Sequence, residues 1–310
     1  LVAEAVEKLA AAKRPILFGG RGVLWSGARD AMIKLADRCG ALLSNTLPAR
    51  GLFHDHPFQL GIAGSYFSSL GREIYESADV VLAVGVEQMG KGLLGGGGGV
   101  STEGLIGSGT MPAMFSHIGM EHARKYGTTF EQFAKVSVKN HHHSTLNPKA
   151  MYQIETPLET VMGAEMIAYP NTKLMCSVNV DGSAAAVLMS EKKVKERGLM
   201  GRAVRVKASV LTSDPWQERD LVMPDVNSCT RLAAKKAYEM AGCSAKDINL
   251  VELHDCFATA EILHYENLGL CGEGEAGQMI DSGATALGGK VPVNVSGGLQ
   301  SKGHPISATG

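Results

Sequence analysis

Apolar positions in the first eighty-odd residues come in blocks that switch between two periods. Val2, Val6, Leu9 and Ala10 recur at helical spacing, which predicts a helix over about 2–12. Pro15 then precedes a short apolar run, Ile16-Leu17-Phe18, the pattern of a buried strand ending in Gly19-Gly20-Arg21-Gly22. Ser26 is placed to cap a helix that carries Met32, Leu35, Ala36 and Cys39 inward and closes at Gly40. Ala41 to Ser44 reads as the next strand. Asp79 to Gly85 reads as a further one, apolar enough to be covered on both faces. Strands alternating with helices imply a parallel, doubly wound sheet, so the expected class is α/β.

Past Gly85 the rhythm changes. Gly90 to Gly109 is nearly all glycine, serine and small apolar residues, a loop. Pro112 opens a helical pattern with Met114, Phe115 and Ile118 inward, and Thr129 to Lys139 is a second. Thr156-Pro157-Leu158-Glu159 has the form of a capping box. Asp181 to Ala186 predicts a small-residue helix, and Ala203 to Leu211 alternates as a strand does. Arg231 to Met240 is helical and stops at Gly242. Ile248 to Leu253 predicts a strand that delivers His254-Asp255-Cys256-Phe257 at its tip, with a helix from about Ala258 to Asn267 behind it.

Composition narrows the function. Thirty basic residues against 31 acidic ones leave a net charge of −1, which argues against nucleic acid as a partner. No run of about 18 apolar residues suggests a membrane span. The opening residues carry Glu4 and Glu7, unlike a secretory signal. The chain starts without Met and stops at Gly310 after a small-residue run, so both ends read as cuts in a larger protein. Its six cysteines, at 39, 176, 229, 243, 256 and 271, include no CxxC pair. That suits free thiols in a reducing cytoplasm rather than disulfides or zinc.

The chemistry concentrates near the end. On an extended segment residues i and i+2 point the same way, so His254 and Cys256 would face one side together. A thiol beside an imidazole and at a helix start has reasons for a depressed pKa, as a thiolate or a proton shuttle; the competing reading is a buried structural cysteine beside a surface histidine. His304 lies between Gly303 and Pro305, and the preceding Ser296-Gly297-Gly298-Leu299 offers N–H groups to a carbonyl oxygen. Carbon–carbon chemistry on thioesters needs a thiolate acceptor, a base at Cα and donors for an oxyanion. Elsewhere, Gly19-Gly20-Arg21-Gly22 is not a GxGxxG and reads as a tight turn, and His54 and His56 beside Asp55 lack a third ligand for a metal. No metal is expected.

Two resemblances follow from particular residues. Arg14 to Gly22, Gly51-Leu52-Phe53 and Ala78 to Gly85 resemble the central domain of acetolactate-synthase-type thiamine diphosphate enzymes, over residues 1–85. In that family this domain does not perform the thiamine chemistry, so the resemblance implies a Rossmann-like fold, with thiamine diphosphate and Mg²⁺ not expected. Residues 86–310 resemble sterol-carrier-protein-type thiolases and their acetyltransferase relatives. The likeness is carried by Val86 to Gly92, Asn140-His141-His142-His143-Ser144, Cys176 to Ala185, Glu252 to Ala258, Asn294 to Gly298 and Ser301 to Gly310.

The second resemblance implies an incomplete thiolase-type α/β/α layered fold acting on acyl-CoA, with coenzyme A as substrate and no other cofactor. In it His304 would hold the thioester oxygen and activate the nucleophile. His254 would line the oxyanion hole and Cys256 would be the acid/base. Asn140, His141, Ser296, Gly297, Gly298 and Gly303 would line the substrate, with the histidine triplet a substrate-loop element rather than a metal site. Thiolases take the acyl group on a cysteine upstream of Glu87-Gln88-Met89. Cys39, the one upstream thiol here, reads as a core residue, so the chain is expected to be inactive alone. The two resemblances meet at Ala78 to Gly85, as in a chimera joined at a shared strand, natural or artefactual. The other readings are a thiamine diphosphate enzyme fragment and a non-catalytic acyl-CoA- or lipid-binding partner subunit; homo-oligomers are usual in the thiolase family.

Overall fold

The computed structural model describes residues 2–46, 49–63, 68–87, 110–213 and 227–309. The loop expected at 90–109, the Gly95–Gly99 stretch within it and residues 88–92 of the Val86 motif lie outside the described residues. The chain forms two compact units that do not follow sequence order. One is Leu1–Gly90 with Val180–Arg205 and Pro305–Gly310; the other is Lys91–Asn179 with Val206–His304.

The first unit is built on a five-stranded sheet. In spatial order its strands are Gln59–Ile62, Leu42–Asn45, Pro15–Gly19, Val80–Glu87 and Gly182–Leu188. The first four run parallel, with Ile16 opposite both Leu42 and Val81. The fifth is antiparallel and sets Val187 against Leu82. Leu17, Leu43, Val80 and Leu82 meet Leu9, Met32, Ala36 and Phe53 in one apolar core. Fully burying an aliphatic side chain is worth roughly 1.5–3 kcal/mol, so this cluster is what holds the sheet to its helices.

The helix Val2–Ala10 and the three strands expected in the first 85 residues form near their predicted bounds. The helix Arg29–Cys39 ends at Gly40 in the left-handed conformation, φ 65°, as the glycine cap implies. Ser26 does not start it. A five-residue helix, Arg21–Trp25, precedes it and Ser26 is that helix's C-cap.

Three further expectations fail, the first because a distant partner outweighs local pattern. Asp181 to Ala186 is not a helix. From Gly182 onward it is the antiparallel edge strand, seven residues hydrogen-bonded to Val80–Glu87. Ala203 to Leu211 forms no strand, and Val204 and Leu211 are 92% exposed. The Thr156 box does not form, because Thr156 Oγ1 donates to Ile154 O at 3.2 Å and Pro157 is the N-cap of the helix Leu158–Gly163.

The second unit is mainly helical around one long central helix, Phe130–Thr145. Thr129 and Gln132 form a capping box at its start. Met111–Tyr126, Ala258–Asn267 and Ala276–Asp281 surround it, and their apolar faces meet at Phe133, Val136, Ile262, Tyr265 and Met279. Asn227–Ala241, closed by Gly242 at φ 66°, packs on Ala258–Asn267. The central helix runs past the predicted Lys139, so the histidine triplet is helical and not a loop. Ile248 to Leu253 amounts to a single bridge, Val251 beside Val293, rather than a strand.

Candidate active site

Two irregular segments of the second unit meet at the Val251–Val293 bridge. Val251 N–H donates to Pro292 O at 3.0 Å, and Asn294 N–H donates to Val251 O at 2.8 Å. Beyond the bridge the first segment bends, since Asp255 N–H reaches back to Leu253 O at 3.1 Å. The extended alternation assumed for His254 and Cys256 is broken there. Phe257 then caps the helix Ala258–Asn267. The second segment turns through Asn294, Gly297, Gly298 and Gly303, at φ 56°, 101°, 59° and 112°. Glycine meets that demand at three of the four positions without steric cost. A π-helical turn, Gly298–Lys302, follows, and His304 N–H donates to Val178 O at 2.8 Å.

This folding brings His254 and His304 together. Their ring centroids lie 4.8 Å apart, edge to face at 77°. The His304 side chain is buried and its Nδ1 has no hydrogen-bond partner. Burial, the neighbouring His254 ring and Lys302 push His304 down to about 4. His254 keeps an exposed edge, and the protein packed around the rest of the ring lowers its pKa too. His264, on the following helix, is pushed to about 4 by burial and by His254. Near neutral pH His264 and His304 are therefore uncharged, free to accept a proton or share one.

Cys256 is placed differently. It is 7% exposed in an apolar cluster with Phe257, Ala260 and Leu299, against Met111, Phe115 and Cys176. Among the described residues no hydrogen bond joins it to either imidazole. Burial raises its pKa, and Asp255 raises it further, which favours the buried-cysteine alternative over the thiolate one. At neutral pH Cys256 is a thiol that can give a proton rather than a thiolate that can attack.

The residues expected to line a substrate divide as well. Three of the four N–H groups offered by Ser296 to Leu299 are engaged within the fold. Ser296 N–H donates to Glu252 Oε1 at 2.8 Å, Gly297 N–H to Asn294 O at 3.0 Å and Leu299 N–H to Asp255 Oδ1 at 2.7 Å. Asn140 is fully buried, and its Nδ2 donates to Asp255 at 2.9 Å and to Glu261 at 2.8 Å. His141 is buried and stacks on Tyr152 at 5.9 Å. His142 faces outward to Glu155, 2.6 Å away. His143 is fixed as a neutral tautomer: Nδ1 donates to Asn294 O and Nε2 accepts from Leu287 N–H, each at 3.0 Å. The triplet thus points three ways, and among the described residues no cluster could hold a metal ion.

What sequence reasoning missed is the buried polar network behind the imidazoles. Glu261, 0% exposed, accepts from Lys139, Tyr265, Asn140 and Asn294. Asp255, also 0% exposed, accepts from Leu299, Asn140 and Gln300. The ammonium of Lys139 pairs with Glu261, and burial together with the Glu261 charge raises the Asp255 pKa well above the ordinary range. A signal existed in the sequence. Glu261 stands inside the otherwise apolar run Ala260 to Leu263, where a charge is tolerated only if paired.

Comparison with known proteins adds two family matches on one chain. Residues 213–309 match the model described as Thiolase C-terminal domain-like, and residues 2–92 the Thiamine pyrophosphate enzyme, central domain. Sterol carrier protein 2 of Oryctolagus cuniculus is 40% identical over 265 residues, covering 80% of this chain and 48% of that protein. Acetyl-CoA acetyltransferase of Methanothermobacter thermautotrophicus is 40% identical over 204 residues, covering 65% of this chain and 52% of that protein. The chain spans about half the length of these relatives. A match over 80% of the chain reaches upstream of residue 86, so the two likenesses overlap on either side of the strand Val80–Glu87. Among solved structures, an Ltp2-ChsH2(DUF35) aldolase aligns at TM-score 0.68 and 20% identity, over 96% of this chain and 76% of that one. Human mitochondrial 3-ketoacyl-CoA thiolase aligns at 0.57 and 18%, over 99% and 80%. Both show likeness of fold.

Proposed function

The chain belongs to the sterol-carrier-protein-type thiolase and acetyl-CoA acetyltransferase family, and from that premise we propose that its His254–His304 pair receives the thioester group of an acyl-CoA. The observation that carries the reading is the edge-to-face contact of the two rings, 4.8 Å between centroids, with His304 held neutral and its Nδ1 unpartnered. A neutral imidazole can donate one N–H to a thioester oxygen and still take a proton from a nucleophile. In this reading His304 holds the oxygen and activates the attacking group, and His254 completes the oxyanion site. Cys256, protonated by virtue of its burial, returns a proton at Cα or to the departing thiol. Asn140, His141, Ser296, Gly297, Gly298 and Gly303 shape the pocket walls rather than donate freely to the substrate.

Coenzyme A enters as substrate and no resident cofactor is assigned. Residues 1–85 act as a Rossmann-like scaffold and 86–310 as the thiolase-like part, in the cytoplasm, as a homo-oligomer or beside a partner subunit. The acyl-accepting step is assigned to none of this chain's own cysteines. Burial raises Cys39, and pushes Cys176 and Cys271 up to about 12. An attacking thiol needs the reverse environment.

Titration calorimetry with acetyl-CoA, followed by intact mass of the incubated protein, tests both parts. We expect saturable binding that weakens at least about tenfold, roughly 1.4 kcal/mol, in His304→Ala, and no added acetyl mass. Absence of binding to the wild-type chain overturns the acyl-CoA reading. A stable acetyl adduct on any cysteine overturns the assignment of acyl acceptance elsewhere.

A further inference from the structure

Asp255 lies between His254 and Cys256, and its side chain turns inward, away from any substrate. Its carboxylate holds the opposite segment. Oδ1 accepts the Leu299 N–H at 2.7 Å, and Oδ2 accepts Gln300 Nε2 at 3.2 Å and Asn140 Nδ2 at 2.9 Å. Leu299 and Gln300 belong to the π-helical turn that ends two residues before His304. One buried side chain thus joins the turn that carries one imidazole to the turn that carries the other.

The approach is close enough to restrict its neighbours. A Cβ on Gly298 would lie 2.2 Å from Asp255 Oδ2, and Gly298 has φ +59°. A Cβ on Gly297, at φ +101°, would lie 2.5 Å from Ser144 Cβ. The paired glycines are what allow the turn to sit down on the carboxylate and on the central helix. From the far side Asn294 clamps the same two segments, its Oδ1 accepting from Leu253 N–H at 2.9 Å and its Nδ2 donating to Glu261 at 2.8 Å.

We propose that Asp255 is the positioning residue that fixes His254 and His304 against each other, by binding the backbone of the His304 turn from within the His254 turn. It acts through those two residues and touches neither reacting atom nor ligand. The role matters to function only if the acyl-CoA reading holds, but the positioning itself is measurable without any ligand.

The measurement is imidazole titration by nitrogen-correlated NMR on the full chain, for wild type, Asp255→Ala, Asp255→Asn and Gly298→Ala. Two charged or titratable groups bear directly on the ring pair, Lys302 on His304 and His264 on His254, while Glu261 acts on His264 and on Asp255 behind them. In the wild type His304 titrates near 4 and its curve depends on that of His254. In Asp255→Ala the turn is released, so His304 gains solvent as well as distance from His254, and its midpoint rises by at least about one pH unit toward the ordinary 6.5, burial being the larger cause of the lowered value. Asp255→Asn keeps an oxygen for Leu299, and the unpartnered amide oxygen of Gln300 can turn to accept its new N–H, while Asn140 keeps its Nδ2 on Glu261, so titration returns most of the way to wild type. A general loss of stability would not produce that rescue. Gly298→Ala, by driving the carboxylate off the turn, reproduces the Asp255→Ala shift. A folded Asp255→Ala or Gly298→Ala protein with an unchanged His304 curve overturns the proposal. If neither variant folds, Asp255 is a folding residue and the positioning role falls. Calorimetry with coenzyme A on the same samples separates the two questions, because wild-type protein that titrates as described but binds no coenzyme A removes the acyl-CoA reading alone.

Discussion

Both units have an apolar core, but among the described residues only the second also buries a network of charged and amide side chains. In the sheet unit Leu17, Leu43, Phe53, Val80 and Leu82 form an aliphatic and aromatic core. In the site unit the space behind the imidazoles is filled by Lys139, Asn140, Asp255, Glu261, Asn294 and Gln300, each nine-tenths buried or more. An apolar core accepts many fillings of similar volume. A buried network with a single ammonium for two carboxylates accepts very few, because each missing partner leaves a desolvated group behind. The first core specifies a fold, and the second specifies where particular atoms stand.

Substitutions should separate the two. Lys139→Met leaves Glu261 buried without its cation and is expected to cost about 3–5 kcal/mol, read as a lowered urea midpoint. Adding Glu261→Leu to it should restore part of that loss, since the uncompensated charge is gone. Leu17→Ala in the sheet unit is expected to cost about 2–5 kcal/mol, whereas Leu17→Met should cost less than about 1.5 kcal/mol. The contrast would fail if Glu261→Gln, equally conservative in shape, proved as mild as Leu17→Met.

Acid provides a third comparison. His304 titrates near 4 in the fold and near 6.5 when unfolded, so the unfolded chain takes the proton first. Stability due to the neutral ring is complete above about pH 6.5 and is lost as pH falls toward 4, by up to about 3 kcal/mol. His304→Gln should flatten the urea midpoint over that interval by this share. The smallest expected effect is at the central helix, where Thr129→Ala removes half of a capping box and should cost about 1 kcal/mol.

The same division governs what could be read from the sequence. Strands 15–19, 42–45 and 80–87 were legible because a buried parallel strand is an apolar run between turn residues. Ser26 was misassigned because the helix Arg21–Trp25, five residues long, is too short for a helical period to show. Asp181 to Ala186 looked helical because alanine favours helices, and was overruled by pairing with a strand about a hundred residues earlier. His254 and His304 were legible as types set among turn residues. Asp255 was not, since its three partners lie 44, 45 and 115 residues away and nothing local marks it. For Cys256 the sequence left a thiolate and a buried structural cysteine both open, and what separates them is the apolar cluster around the thiol, built largely from residues far away in the chain.

The central claim is that two imidazoles from separate turns share one thioester oxygen. A crystal structure of the chain with acetyl-CoA bound tests it most directly. The account predicts that oxygen within about 3 Å of a ring nitrogen of both His254 and His304, with Asp255 still bound to Leu299. Acetyl-CoA seated with its thioester away from both rings would contradict it.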